Sequence, residues 1–238
     1  MKFLSYNIKG LFSKLCLADF FDYLRSFDVF ILCETHVEEA NEYNKYFGGF
    51  DISWKFATRR SSFGRASGGC VYGVKKGLRN VGVNHSFIKI DGLDIIKLTV
   101  DKTHLHLIPL YLRPTEWLED FEKLSNVLLN RKIDNIIIVG DLNVRIGSLQ
   151  IQLAENYLGN LNNVCDERKS KDLVINAKGK QLLDLCENMG LFILNGSTVD
   201  DKSGNFTFIS SVGNSVNDIC AVDQELLFLV DNFIVDSK

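Results

Sequence analysis

Short apolar runs recur along the whole chain and predict a series of β-strands. Runs such as 136–139 are of strand length, and Gly, Asn or Asp residues of the turn-forming type bound most of them. The predicted strands cover 2–7, 29–34, 69–75, 87–90, 94–100, 105–112, 135–141, 191–194, 206–209 and 218–222.

Apolar residues at helical spacing predict helices over 15–25, 116–129 and 177–189. Gly190 is a natural terminator of the third helix. Many strands with a few long helices predict a layered α/β or α+β fold. The face that the second helix is predicted to bury consists of Trp117, Leu118, Phe121, Leu124, Val127 and Leu128.

Size and composition fit one globular domain over residues 1–238. Apolar residues make up 46% of the chain and charged residues 24%, which is ordinary for a soluble protein. The apolar runs are too short to span a bilayer, so no membrane partner is expected. The six cysteines are scattered without a C-x-x-C pair, which favours buried free thiols over a disulfide framework or a zinc site.

Positive charge is concentrated in one stretch of a chain whose net charge is −3. Residues 52–90 contain no Asp or Glu and carry eight basic residues, among them Arg59, Arg60 and Arg65. Such a stretch is typical of a surface that contacts phosphates. A solvated loop and strand with a chance charge bias explains the pattern equally well at this point.

The segment IIIVGDLNVRIG, 136–147, carries the strongest local signal for chemistry. A fully apolar strand delivers Asp141 and Asn143 at its end, where α/β enzymes place reactive groups. Gly140 is of the type that lets the backbone approach a ligand closely. An Asp-x-Asn turn without catalytic function is the alternative.

Four other predicted strands also end in or begin with a polar residue: Asn7, Glu34, Tyr111 and Asp218. Each could simply terminate its strand, but the types together fit phosphate chemistry. Glu34 supplies the hard oxygen that Mg²⁺ prefers. Asp141 can position or deprotonate a water, and a tyrosine hydroxyl can donate to a phosphoryl oxygen.

These segments resemble, in order and content, the endonuclease/exonuclease/phosphatase superfamily. The matching motifs are LSYNIKGL, ILCETH, LIPLYLRP, GDLNVRIG and SVNDICAV. The stretch with Arg168, Ser170 and Asp172, the run 190–196 and the strand with Thr207 resemble the endonuclease domain of non-LTR (LINE-type) retrotransposons.

The resemblance implies a DNase-I-like fold, a four-layered sandwich of two packed β-sheets flanked by helices. It implies Mg²⁺-dependent nicking of DNA, with Mn²⁺ as a possible substitute, leaving a 3′-hydroxyl and a 5′-phosphate. Glu34 and Asn7 are then metal residues, and Asp141, Asn143, Tyr111 and Asp218 are catalytic. The phosphate or DNA contacts are then Thr207, Arg59, Arg60, Arg65 and Arg168.

One departure from the family pattern affects the expected activity. The Ser-Asp-His motif that follows Asp218 in the family is only just due where the sequence ends at Lys238. We therefore expect a C-terminally incomplete domain with weak or no nuclease activity. The alternatives are a decayed or domesticated fragment that binds nucleic acid or protein, and another phosphatase or phosphodiesterase of this fold.

The family's biology completes the expectations about partners. The resemblance implies that the chain binds backbone phosphates of DNA as a monomer. It also implies fusion to a reverse transcriptase in the full-length version, and a nuclear location.

Overall fold

The computed structural model describes residues 1–59, 64–130, 132–153, 161 and 163–236. The helices in these ranges are α1 (Ala18–Arg25), α2 (Trp117–Leu129) and α3 (Ala177–Met189), joined by short 3₁₀ turns. The strands are β1 (Phe3–Asn7), β2 (Val29–Cys33), β3 (Phe50–Lys55), β4 (Cys70–Lys75), β5 (Val83–Ile90), β6 (Leu93–Val100), β7 (Thr103–Tyr111), β8 (Ile136–Asp141), β9 (Leu191–Ile193), β10 (Phe208–Ser210), β11 (Gly213–Ser215) and β12 (Asp218–Asp223).

Most predicted elements are present, with shifted ends. The sequence pattern does not predict β3 or β11. The β3 segment FDISWK mixes charged and aromatic residues, and the β11 segment GNS has no apolar residue to signal a strand. The first helix begins at Ala18 rather than at Leu15, because the preceding residues form a 3₁₀ turn, Phe12–Lys14.

The strands form two larger sheets and one hairpin. The four-stranded sheet has the order β1-β2-β4-β3, and the six-stranded sheet has the order β5-β6-β7-β8-β12-β9. The hairpin consists of β10 and β11. The chain divides into two compact units: unit 1 is Met1–Lys89 with Asp94–His104, and unit 2 is Ile90–Leu93 with Leu105–Lys238. A single domain over 1–238 stays a prediction.

Unit 1 has a core rich in aromatic rings. Phe30 from the fully buried strand β2 stacks on Phe47 and meets Phe50 edge to face. The ring of Phe30 also covers Gly73 of β4, where a Cβ atom would lie 2.2 Å from Phe30 Cε1. Interior packing at this density makes residue 73 intolerant of any side chain.

Unit 2 is built on the apolar strand β8 and the helices α2 and α3. The predicted face of α2 is buried except for Leu118, which is 60% exposed. Asn176 caps α3 by accepting a hydrogen bond from the Gly179 N–H at 2.7 Å, and Gly190 ends the helix with a φ of 67°. The terminator predicted for this helix is therefore confirmed.

Gly140 serves strand packing rather than a ligand. Its φ is 143°, and a Cβ atom there would lie 1.9 Å from the carbonyl oxygen of Leu110 on the neighbouring strand β7. The sequence suggested that this glycine lets a ligand approach the backbone. In the structure it lets β8 approach β7, and no other residue would allow this contact.

The state of the cysteines agrees with the sequence pattern. All six cysteines are free, and Cys33, Cys186 and Cys220 are buried. Burial raises the pKa of the Cys186 and Cys220 thiols to about 12. Among the described residues, no helix combines the length and apolar character needed to cross a bilayer.

Candidate active site

Three of the candidate residues in unit 2 are neighbours on adjacent strands. Tyr111 ends β7 and is paired in register with Asp141 at the end of the parallel strand β8. Asp141 is in turn paired with Asp218, the first residue of the antiparallel strand β12. Because neighbouring strands lie about 4.8 Å apart, a phenol and two carboxylates occupy one row across the sheet.

The carboxylate of Asp141 is held by its own turn. Asp141 is only 7% exposed, and its Oδ1 accepts a hydrogen bond from the Asn143 N–H at 3.1 Å. Asn143 has a φ of 50°, and its Nδ2 donates to the carbonyl oxygen of Leu112 at 3.0 Å. The Asp-x-Asn turn considered in the sequence analysis therefore exists, and it fixes the direction of both side chains.

Asp218 is held by backbone contacts at the start of β12. The hydroxyl oxygen of Thr207 accepts hydrogen bonds from the N–H groups of Asn217 and Asp218, at 3.0 and 3.1 Å. Thr207 therefore orders the Asp218 backbone through its oxygen. A phosphate contact through its O–H hydrogen stays a prediction.

Arg168 has a different place from the one predicted. It is 7% exposed, and its guanidinium donates to the carbonyl oxygens of Asn195, Gly147 and Leu149 at 2.7, 2.5 and 2.9 Å. Burial lowers its pKa to about 10, so it stays charged at neutral pH. We interpret Arg168 as an internal brace between loops, because its donors point at backbone rather than at solvent.

Arg145 and Asp172 form an ion pair that the sequence pattern does not predict. Arg145 Nε and Nη2 donate to the two carboxylate oxygens of Asp172 at 2.7 and 2.5 Å. Asp172 also accepts from the N–H groups of Val174 and Val216, the latter just before β12. Burial acts to raise the pKa of Asp172, but these hydrogen bonds outweigh it and lower the pKa. Arg168 and Asp172, from the stretch that resembles the retrotransposon domain, thus both support loops near β12.

Unit 1 holds the two residues predicted to bind metal. Asn7 ends β1 and is paired with Cys33 of the parallel strand β2, and Glu34 follows directly. Asn7 Oδ1 accepts from the Lys9 N–H at 3.2 Å, and the Glu34 carbonyl oxygen accepts from the Gly10 N–H at 2.7 Å. The carboxyl ends of these two strands therefore place Asn7 and Glu34 at the same edge of the sheet.

Glu34 has an unusual backbone for its residue type, with a φ of 54°. A non-glycine residue in the left-handed region costs about 1–3 kcal/mol and persists only where its surroundings hold it. The Thr35 N–H, bonded to the Gly69 carbonyl oxygen at 3.0 Å, helps to hold it. Strain of this kind concentrates at functional sites, which supports Glu34 as a functional residue.

The donor set of Glu34 and Asn7 fits Mg²⁺. A half-buried carboxylate and a carboxamide oxygen are hard ligands, and Mg²⁺ characteristically keeps several waters beside one or two carboxylates. Over the described residues there is no group of three or more His, Cys, Asp or Glu side chains that could hold a metal ion. Glu34 and Asn7 are thus of a type that could hold a partly hydrated magnesium ion.

The acid-free stretch 52–90 is partly neutralised by acids from outside it. Arg59 forms a two-point ion pair with Glu38 and donates to the Gly64 carbonyl oxygen. Hydrogen bonding to Glu38 raises the pKa of Arg59. Arg79 pairs with Asp51, and Lys89 pairs with Asp94. Arg65 is exposed, and Arg60 lies outside the described residues.

Three histidines, His85, His104 and His106, have polar contacts away from the candidate residues. His106 lies inside β7 and is paired in register with Ile136, and its Nδ1 lies 2.6 Å from the Asp134 carbonyl oxygen. In unit 1, His104 Nδ1 lies 3.1 Å from Thr99 Oγ1, and His85 Nε2 lies 3.2 Å from Asp51 Oδ2. Each of these three rings thus has a local partner in the fold.

A family model and several solved structures match this chain. The model of the Endonuclease/Exonuclease/phosphatase family matches residues 4–210. A search of curated protein sequences gave no match.

Solved structures show the fold at low sequence identity. AP endonuclease LMAP from Leishmania major has a TM-score of 0.63 and 14% identity, covering 95% of this chain and 80% of that one. The APE2 catalytic domain from Xenopus laevis has a TM-score of 0.63 and 16% identity, covering 95% and 83%. The 3′ phosphatase NExo from Neisseria, bound to a product DNA hairpin, has a TM-score of 0.59 and 13% identity, covering 95% and 88%. The predicted DNase-I-like fold class is confirmed.

Proposed function

The chain belongs to the endonuclease/exonuclease/phosphatase family, and from that premise we propose that it is a divalent-metal-dependent DNA endonuclease of the retrotransposon type. The single observation that carries the proposal is the row of Tyr111, Asp141 and Asp218 across β7, β8 and β12. These groups suit in-line attack of water on a phosphodiester. The retrotransposon type rests on the motif resemblance around Arg168 and Thr207.

In unit 2 the side chains have distinct tasks in this reaction. Asp141 aligns the attacking water and accepts its proton, since its carboxylate is fixed by the Asn143 N–H. Tyr111 donates its hydroxyl hydrogen to a phosphoryl oxygen. Asn143, whose amide is directed by the Leu112 carbonyl oxygen, contacts the water or the phosphate. The P–O3′ bond breaks and the leaving oxygen takes a proton from solvent water, so that a 3′-hydroxyl and a 5′-phosphate remain.

In unit 1 the proposed metal residues are Glu34 and Asn7. Glu34 would hold Mg²⁺ through its carboxylate, and the carboxamide oxygen of Asn7 would help to hold it. A bound Mg²⁺ supplies Lewis-acid stabilisation of charge on the phosphoryl group and the leaving oxygen. Mn²⁺ is expected to substitute, because it accepts the same oxygen ligands.

Metal dependence gives the test of this proposal. We expect supercoiled plasmid to be nicked in the presence of Mg²⁺, and nicking to stop with EDTA or in the variant Glu34→Gln. Protein in excess over plasmid allows slow cleavage to be followed, so that the weak or absent activity expected from the sequence can be quantified. Glu39→Gln, which neutralises an exposed carboxylate a few residues away, is the matched control and should nick like the wild type.

Two results would contradict the proposal. One is equal nicking by wild type and Glu34→Gln, which would indicate a contaminating nuclease. The other is hydrolysis of phosphorylated lipid or inositol head groups in preference to DNA and RNA, which would indicate another enzyme of the same fold.

The DNA partner gives a separate prediction. Phosphate contacts release counterions, so each one lost should reduce the slope of log Kd against log salt by about 0.9. We expect Arg65→Gln to reduce the slope, and Arg59→Gln to reduce it less, because Glu38 already neutralises Arg59. Fluorescence anisotropy with a labelled duplex measures these slopes.

The control removes an equal charge elsewhere. Arg25→Gln neutralises an exposed arginine on α1 that is paired with Asp22, and its slope should equal that of the wild type. If Arg65→Gln and Arg59→Gln both had the slope of the wild type, as expected for Arg25→Gln, these arginines of the stretch 52–90 would not contact DNA phosphates.

A further inference from the structure

The first residues of β12 lack a strand neighbour on one side. β12 pairs with β8 from Asp218 to Val222, but β9 pairs only with Ala221, Val222 and Asp223. The backbone groups of Asp218 and Cys220 that face β9 must therefore find other partners, because buried backbone groups are costly when unpaired.

The side chain of Asn195 takes the place of the missing strand. Its Nδ2 donates to the Asp218 carbonyl oxygen at 3.0 Å, and its Oδ1 accepts from the Cys220 N–H at 2.8 Å. The Leu194 N–H donates to the Cys220 carbonyl oxygen at 2.8 Å, and Thr207 accepts from the Asp218 N–H. All four backbone groups of Asp218 and Cys220 on this side are thus satisfied.

Asn195 is itself held in place. It is 2% exposed, and its carbonyl oxygen accepts from Arg168 Nε at 2.7 Å. The next residue, Gly196, has a φ of 70° and lies so close to the Lys169 carbonyl oxygen that a Cβ atom would be 1.8 Å from it. The carboxamide of Asn195 therefore has one fixed position, from which it reaches β12.

We propose that Asn195 is a positioning residue for Asp218, acting as a side-chain substitute for a strand that keeps Asp218 in register with Asp141. The inference rests on the proposed function and deepens it, since the row of Tyr111, Asp141 and Asp218 depends on that register. Asparagine suits the position because its short planar carboxamide presents a donor group and an acceptor group side by side.

Hydrogen exchange tests the contact without any need for activity. In the 238-residue chain carrying Asn195→Ala, we expect exchange of the Cys220 amide to quicken roughly tenfold, the size of one net hydrogen bond. The matched control is Gln150→Ala. The Gln150 carboxamide bonds the N–H and carbonyl oxygen of Ile193 on β9, so its loss should quicken exchange at Ile193 and leave Cys220 unchanged.

A double-mutant cycle tests the positioning role in hydrolysis. A displacement near 1 Å can cost about 10²-fold in rate, so Asn195→Ala should lower kcat by about 10- to 100-fold with little change in KM. Gln150→Ala should leave kcat unchanged. In an Asp218→Ala background, Asn195→Ala should have no further effect, because Asn195 acts only through Asp218.

The outcomes separate the two proposals. Unchanged exchange at Cys220, or rate losses that multiply in the double variant, would overturn the role of Asn195. A wild type that hydrolyses no phosphodiester would remove the proposed function. Faster exchange at Cys220 in Asn195→Ala would still support the hydrogen bonds by which Asn195 holds the start of β12. If Asn195→Ala does not fold, Asn195→Ser replaces it in both measurements.

Discussion

Replacing Asp141 with asparagine should slow phosphodiester cleavage by about 10²–10⁴-fold, the range that a positioned proton-transfer group contributes. The substitution keeps the shape of the side chain and an oxygen for the Asn143 N–H bond. It removes the charge that accepts the proton of the attacking water. Single-turnover relaxation of supercoiled plasmid in Mg²⁺ measures the rate.

The control for Asp141→Asn lies at the other end of the same sheet. Asp223 ends β12 and accepts from the Ile136 N–H, and burial raises its pKa. Asp223→Asn should leave the rate unchanged and cost no stability at pH 7, because asparagine keeps the acceptor without the buried charge. Near-wild-type cleavage by Asp141→Asn would rule out its role as proton acceptor.

Removing the guanidinium of Arg168 should destabilise the fold by about 3 kcal/mol or more, because each buried acceptor that loses its donor costs about 1–3 kcal/mol. In Arg168→Met the carbonyl oxygens of Asn195, Gly147 and Leu149 lose their shared donor. Urea unfolding followed by circular dichroism measures the change in free energy.

Unfolding together with DNA binding distinguishes a structural role of Arg168 from a DNA contact. Lys169→Met removes the neighbouring exposed charge and should change stability little. If Arg168→Met left stability unchanged but flattened the salt dependence of DNA binding, the DNA contact predicted from the sequence would be right and the structural interpretation wrong.

The sequence predicted the strands that carry the candidate site because their signals are local. β2 and β8 are continuous apolar runs, so Glu34 and Asp141 stand out at their ends. The register that places Asp218 beside Asp141 is not local, since the two residues are far apart in sequence. The family resemblance named both residues as catalytic, but neither motif order nor periodicity predicted that they are paired.

The features that the sequence did not predict depend on distant contacts. Asn195 also follows an apolar run, so the sequence does not distinguish it from other residues at strand ends. Its hydrogen bonds to β12 matter because β9 ends at Ile193 and does not reach Asp218. The basic stretch seemed uncompensated because Glu38 and Asp51 lie outside it in sequence and reach it through the fold. The charge of residues 52–90 taken alone therefore cannot show that acidic residues elsewhere in the chain neutralise part of it.

The pairing of Asp141 with Asp218 restricts how the connection between β9 and β12 can vary in length. Side chains of a strand alternate between its two faces, so a shift of β12 by one residue would turn Asp218 to the opposite face and bring Asn217 or Ile219 into its place. Insertions and deletions between residues 196 and 217 are therefore tolerated only where a loop absorbs them completely. Among natural variants, length changes should accumulate at the tip of the β10–β11 hairpin, where Val212 is 94% exposed, and not in the residues on either side of Thr207.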